Sequence, residues 1–141
     1  MARLLGACVA GVGVLLMGCE GMPAVTIHGP DETLRLRAHV LVAETADERR
    51  MGLVGRREMA EGEGLLLLFP LEGEVCITNA EVVFPIDAVF ADALGRVVAV
   101  ERSIAAGDPS LRCHAPVLTV LELTSGAALS VQPHDVLERR P

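Results

Sequence analysis

Apolar and polar residues alternate along several short segments of the chain, which is the pattern of half-buried β-strands. The clearest alternation covers residues 33–43, TLRLRAHVLVA, in which every second position is apolar. Residues 65–69 form an uninterrupted apolar run that ends at Pro70, and they predict a strand buried on both faces. The β-branched segment 75–79 predicts another short strand.

The longest predicted unit is a hairpin over residues 82–100, VVFPIDAVFADALGRVVAV. Pro85 lacks an N–H, so we expect it at the start of a strand or at an edge. The alternation that follows places Asp87 on the face opposite to Ile86. Residues 92–95 begin with Asp and end with Gly, which is typical of a turn.

Two further strands are predicted beyond the hairpin, over residues 115–124 and 136–138. Helical signals are few. Thr45 with Glu48 three residues later is a capping-box pattern, and it predicts a helix of about two turns that the following glycines limit. A second short helix is expected over residues 125–131.

The N-terminal residues have the pattern of a secretion signal. Arg3 supplies a positive charge, and residues 4–16 form an uncharged, mostly apolar run that is shorter than the about 20 residues of a membrane span. The run leads into Leu-Met-Gly-Cys, which ends at Cys19 and resembles the lipobox of bacterial lipoproteins. We expect Cys19 to be lipidated with chains such as palmitate; the alternative is an ordinary secretion signal in which this cysteine is incidental.

These features divide the chain into three parts. Proline and glycine interrupt residues 20–31, which show no sustained period and are typical of a linker. We predict a lipoprotein signal peptide over residues 1–18, a tether over 19–32 and one folded domain over 33–141. The expected location is the cell envelope, with the lipid in the membrane and the domain exposed to the periplasm or the exterior.

The composition of the chain limits the classes of molecule that it is expected to bind. The formal net charge of −7 disfavours nucleic acid, whose phosphates require a cationic surface, and 2% aromatic residues leave little surface for base stacking. We therefore expect no nucleic-acid partner. The expected partners are the membrane, through the lipid, and a protein or small ligand, and we expect a monomer.

Two acidic residues stand among apolar neighbours and are candidates for a functional role. A buried carboxylate needs a partner, and Arg56 is the candidate for a structural ion pair with Asp87. Glu122 is expected to pair in the same way, with Arg96 or Arg102. The alternative role for either acid is general acid–base catalysis.

Cys76 and Cys113 are the other cysteines that follow the predicted signal peptide. In an oxidising compartment they form either a disulfide bridge or one buried and one exposed thiol, and the sequence leaves both possibilities open. A bridge would stabilise the fold by about 3–4 kcal/mol. Cys113 and His114 are adjacent but lack the ligand spacing of a structural zinc site, so neither a metal nor another cofactor is expected.

Four stretches of the chain resemble the DUF192 family. They are residues 43–56, AETADERRMGLVGR, residues 63–70, EGLLLLFP, residues 85–100, PIDAVFADALGRVVAV, and residues 120–123, VLEL, followed by Gly126. The resemblance covers roughly residues 36–138 and implies a small, mainly β domain without an established catalytic activity. With the patterns above, we expect a mainly β (α+β) fold, namely a compact, partly barrel-like mixed β-sheet with one or two short helices.

The chain departs from the family pattern just before Pro85. Members typically carry a segment like F-W-M-K-N-T there, whereas the ungapped match places residues 77–82, ITNAEV, at those positions. This identifies a divergent member that has lost or rebuilt that segment. The sequence favours a non-catalytic binding or accessory module of unknown activity; the alternative is an envelope hydrolase that uses Asp87 or Glu122.

Overall fold

The computed structural model describes residues 21–141 of the chain. Its strands are β1 (Ala24–His28), β2 (Leu34–Ala43), β3 (Glu63–Ile77), β4 (Ile86–Ala91), β5 (Val97–Ile104), β6 (Arg112–Thr124) and β7 (Val136–Arg140), with one helix, α1 (Ala46–Met51), after β2. Across these residues the strands form one sheet in the order β5-β4-β6-β3-β2-β1-β7. Because β2 and β3 run parallel while the other pairs are antiparallel, the sheet is mixed.

The two edges of the sheet come back together at the turn between β4 and β5. An isolated bridge joins Arg96 to Val136 at the start of β7. The Leu137 N–H donates to the Gly95 carbonyl at 2.7 Å, and the Val97 N–H donates to the Asp135 carbonyl at 2.8 Å. These bonds curl the sheet towards closure, so the prediction of a mainly β, partly barrel-like mixed sheet is confirmed.

Apolar residues fill both faces of the curled sheet. One buried cluster takes residues from each of the seven strands, including Val25, Leu66 and Leu121, and lies inside the curl. A second cluster covers the opposite face of β3, β4 and β6, where Leu53 and Met59 from the segment after α1 pack on it. The central strands are therefore buried on both sides, as an uninterrupted apolar run predicts.

Helix α1 begins with the predicted capping box. The Glu48 N–H donates to the Thr45 hydroxyl at 3.1 Å, and the Thr45 N–H donates to the Glu48 carboxylate at 3.0 Å. The helix ends at Gly52, whose φ of 50° lies in the region that glycine adopts without strain. The second predicted helix does not form, because residues 125–131 make successive turns.

Two predicted boundaries are corrected. Residues 63–77 are one strand rather than two, because the pairing of β3 with β6 shifts between Leu68 and Gly73 and leaves Pro70 where no ladder bond is needed. The domain also starts before residue 33: β1 pairs with both β2 and β7, so residues 24–28 of the predicted tether over residues 19–32 belong to the sheet. The signal peptide and Cys19 lie outside the described residues.

Within residues 21–141, no helix has the length and apolar character needed to cross a membrane.

Candidate functional site

Asp87 is fully buried on β4 and faces the inside of the curl. Its carboxylate accepts three main-chain hydrogen bonds, from Ser103 at 2.8 Å, Gly126 at 2.9 Å and Ala128 at 3.0 Å. The predicted pairing with Arg56 is wrong, because these amides already satisfy the carboxylate. Asp87 thus fixes the 125–131 turns against β4 and β5, and both of its oxygens are engaged.

Glu122 is placed very differently on the neighbouring strand β6. It lies between Leu65 of β3 and Ala88 of β4 in the sheet register, and only 6% of its surface is exposed. No side chain or main-chain group of residues 21–141 forms an ion pair or hydrogen bond with its carboxyl group, so the predicted pairing with Arg96 or Arg102 is wrong. Burial alone raises the pKa of Glu122 to about 7.

The carboxyl group of Glu122 opens into a cavity of about 660 Å³. This volume is within the range of small-molecule sites. Helix α1 and its C-terminal end cover one side, where a Cβ added at Gly52 would lie 4.0 Å from Glu122 Oε2. The remaining walls are mostly apolar and come from the segment after α1, from β3 and from the segment after β3; they include Leu53, Val54, Leu67, Phe69, Ile77 and Val82.

Charged residues stand around the mouth of this cavity, but they are bonded to one another or to the backbone. Arg49 donates to the carbonyls of Glu44 and Leu68, the latter at 2.8 Å, and its guanidinium lies 5.0 Å from the centre of the Phe69 ring. Arg50 pairs with Asp47. Neither arginine forms an ion pair with Glu122, while the exposed Glu81 adds a second acid to the mouth.

The segment that departs from the family pattern, residues 77–82, forms one wall of the cavity. Asn79 holds this segment in place. It is fully buried, and its side-chain amide donates to the carbonyls of Phe84 at 3.1 Å and Ala105 at 2.9 Å. Its importance was missed from the sequence, although a lone amide among apolar residues before a Pro is a turn signal.

Cys76 and Cys113 face each other across β3 and β6, with a Cα–Cα distance of 4.0 Å and bonded sulfur atoms. The disulfide alternative is therefore the one that the structure adopts. Next to it, His114 Nε2 lies 2.9 Å from Glu101 Oε1. Across residues 21–141, no cluster of three or more His, Cys, Asp or Glu side chains is arranged to hold a metal ion.

Chemically, the cavity offers one unpaired carboxyl group below apolar walls. No histidine from the described part of the chain lines it, and the other acid, Glu81, is at the mouth rather than at the floor. The arrangement can accept a small molecule and give it one strong polar contact.

Comparison with known proteins agrees with this fold. The family model DUF192, described as an uncharacterized ACR, matches residues 26–138. The chain belongs to the DUF192 family. Because the match begins at residue 26, within β1, it also supports the earlier start of the domain. A search of curated proteins gave no match.

Two solved structures are similar to this DUF192 protein. A protein of unknown function from Novosphingobium aromaticivorans is 28% identical, with a TM-score of 0.75 over 82% of this chain and 83% of that one. A putative transcription regulator from Sinorhizobium meliloti is 25% identical, with a TM-score of 0.79 over 84% of this chain and 94% of that one. Both support the fold, and the activity of the DUF192 domain is not established by either.

Proposed function

We propose that this DUF192 protein is a lipid-anchored protein of the cell envelope whose domain binds a small ligand, without catalysis, in the cavity above Glu122. The observation that carries the proposal is the state of this carboxyl group. The other buried acids have main-chain donors: Asp87 has three, Asp92 accepts from Leu94 and Arg96, and Asp135 accepts from Gln132. Glu122 is the exception, and it faces an open cavity.

Glu122 is a mostly buried carboxyl whose oxygens reach the cavity and have no protein donor; because loss of hydration without such a donor costs stability, this group needs an explanation. A role in binding explains this one, because a ligand would supply the missing partner. If the Glu122 carboxyl group lay in a closed apolar core, no ligand could reach it to supply a partner. The fold would then be more stable with a Leu at position 122.

The charge of the chain argues against a nucleic-acid partner, although the similar Sinorhizobium meliloti protein is described as a putative transcription regulator. A net charge of −7 and three Phe as the whole aromatic complement provide neither phosphate contacts nor a stacking surface.

The N-terminal sequence supports the anchor. Cys19 follows an apolar run with the lipobox pattern, and β1 starts at Ala24. Only a few residues therefore separate the acylated cysteine from the sheet, and the domain would be held close to the membrane surface. We expect Cys19→Ser to move the protein from the membrane to the soluble fraction; unchanged fractionation would contradict the anchor.

One observation favours a second function. A carboxyl group whose pKa lies near 7 suits general-base catalysis, so a hydrolase that uses Glu122 is the alternative. Asp87 does not suit this role, because its oxygens are occupied by main-chain donors on the other face of the sheet. Hydrolysis of chromogenic esters that disappears in Glu122→Gln would support the enzyme and contradict the non-catalytic proposal.

The binding proposal is tested by titrating the domain with a set of small apolar fragments while amide chemical shifts are recorded. Ala80 lies at the mouth of the cavity, whereas Ala93 is equally exposed in the β4–β5 turn and lies outside it. We expect fragment shifts around Leu53 and Val82 that Ala80→Trp abolishes and Ala93→Trp preserves. Shifts that are absent, or that both variants retain, would contradict the proposal.

A further inference from the structure

The charged groups around the cavity do not suit an anionic ligand or a neutral lipid. Its buried polar group is a carboxyl with no protein partner, whereas Arg49 is bonded to main-chain carbonyls and Arg50 forms an exposed surface pair with Asp47. An anionic ligand that reached the floor would meet the Glu122 carboxyl, with which no arginine of the described residues pairs. From this geometry we infer that the ligand is a small cationic amine with an apolar body, whose ammonium group pairs with Glu122; the inference rests on the proposed function.

The contacts at the floor favour an ammonium group over a neutral hydroxyl or carbonyl. Leu65 and Ala88 flank Glu122 in the adjacent strands and offer no side-chain donor, so a ligand in the cavity can supply one to the carboxylate. A charge-assisted hydrogen bond is about twice as strong as a neutral one, and the mostly apolar walls strengthen it further. The apolar body of the amine would then contact Leu53, Ile77 and Val82.

The approach to the cavity is also suited to a cation. Glu81 is exposed at the mouth, and Asp47 lies beside it on α1. With a net charge of −7 on the whole chain, the long-range field attracts small cations and raises their rate of encounter. The face of Phe69 is covered by Arg49, so the carboxylate, rather than a cation–π contact, is the binding group.

The pH dependence of binding distinguishes an amine from a neutral ligand. In the empty cavity Glu122 titrates near pH 7, and an ammonium group binds its ionised form. The ionised fraction rises about tenfold between pH 6 and pH 8, and the affinity for an amine should rise by the same factor. A neutral acceptor that binds the protonated form should instead weaken about tenfold over this interval.

The test uses three probes of equal chain length, hexylamine, hexanol and hexanoate, titrated into the domain by NMR at pH 6 and pH 8. We expect hexylamine to bind about tenfold more tightly than hexanol at pH 8. This preference should disappear in Glu122→Gln and persist in Glu58→Gln, an exposed control outside the cavity.

Each other outcome has a definite meaning. If hexanol or hexanoate binds as well as hexylamine, or if hexylamine weakens between pH 6 and pH 8, the amine inference is overturned while the binding cavity stands. If a preference for hexylamine survives in Glu122→Gln, Glu122 is not its partner and the inference also fails. If neither these probes nor the apolar fragments bind, the proposed function fails, and the amine inference fails with it.

Discussion

Asp87 and Glu122 lie on adjacent strands and are offset by one residue in the register. Their carboxyl groups therefore point to opposite faces of the sheet. Asp87 is opposite Leu123, and Glu122 is opposite Ala88. The first carboxylate receives three main-chain hydrogen bonds, and the second receives none from the described residues. The same pair of strands therefore holds one acid that organises the fold and one that is left for a ligand.

The structural role of Asp87 leads to a prediction about stability. Asp87→Ala leaves three main-chain N–H groups without their charged acceptor and should lower the free energy of unfolding by about 3–5 kcal/mol. Asp47→Ala, which removes an exposed carboxylate, should change it by less than about 1 kcal/mol. Urea unfolding of both variants measures the difference, and equal midpoints would show that the amide contacts are not structural.

Arg56 provides a separate check on the partner of Asp87. Because main-chain amides rather than a guanidinium hold this carboxylate, Arg56→Ala should shift the free energy of unfolding by no more than about 0.5 kcal/mol. If Arg56→Ala lowered the free energy of unfolding as much as Asp87→Ala does, the ion pair between these two residues that the sequence suggested would be supported.

Glu122 should make stability depend on pH in a defined direction. Its folded pKa of about 7 lies above the ordinary value of 4.5, so its contribution is fully present below pH 4.5 and is lost as the pH rises through 7. The change in the free energy of unfolding is about 3 kcal/mol. Relative to wild type, Glu122→Gln should gain this amount between pH 4.5 and pH 8 in denaturant titrations; parallel pH profiles for the two proteins would contradict it.

Asn79 is predicted to support the cavity wall. Its amide ties the segment 77–82 to the carbonyls of Phe84, Ile104 and Ala105, and Asn79→Ala removes these bonds from a buried position. The free energy of unfolding should fall by about 1–3 kcal/mol, and fragment binding should weaken. Gln132→Ala, which removes an exposed amide outside the cavity, is the control and should retain fragment binding.

The disulfide should stabilise the antiparallel pair of β3 and β6. It links residues separated by 37 positions, so its reduction should lower the free energy of unfolding by about 3–4 kcal/mol. Urea unfolding with and without reductant measures this, and the Cys76→Ser/Cys113→Ser variant should be insensitive to reductant. Identical curves for reduced and oxidised wild type would show that the bridge does not form in solution.

Local patterns predicted the parts of the fold that depend on neighbouring residues. The capping box at Thr45 and the alternation along β2 and β4 were confirmed because they depend on hydrogen bonds and side-chain directions within a few residues. The strand β1 was missed because it is short and flanked by Pro and Gly, and its place in the sheet is set by pairing with β7, more than a hundred residues away.

The candidate site was predicted in part. The burial of Asp87 and Glu122 could be predicted from their apolar neighbours in the sequence. The partners of their carboxyl groups could not. The amides that hold Asp87 belong to residues 16 to 41 positions away, and a main-chain amide leaves no signature in a sequence. The cavity is likewise formed by the tertiary packing of α1 against the segment 77–82, which no local pattern reports.

The most direct measurement is the titration of the Glu122 side-chain carboxyl carbon by NMR in the ligand-free domain. If this group is the unpaired floor of a binding cavity, its midpoint should lie near pH 7, and Asp87→Asn on the other face should leave that midpoint near 7. A midpoint near the ordinary value of 4.5 would mean that Glu122 is hydrated or paired, and it would contradict the account.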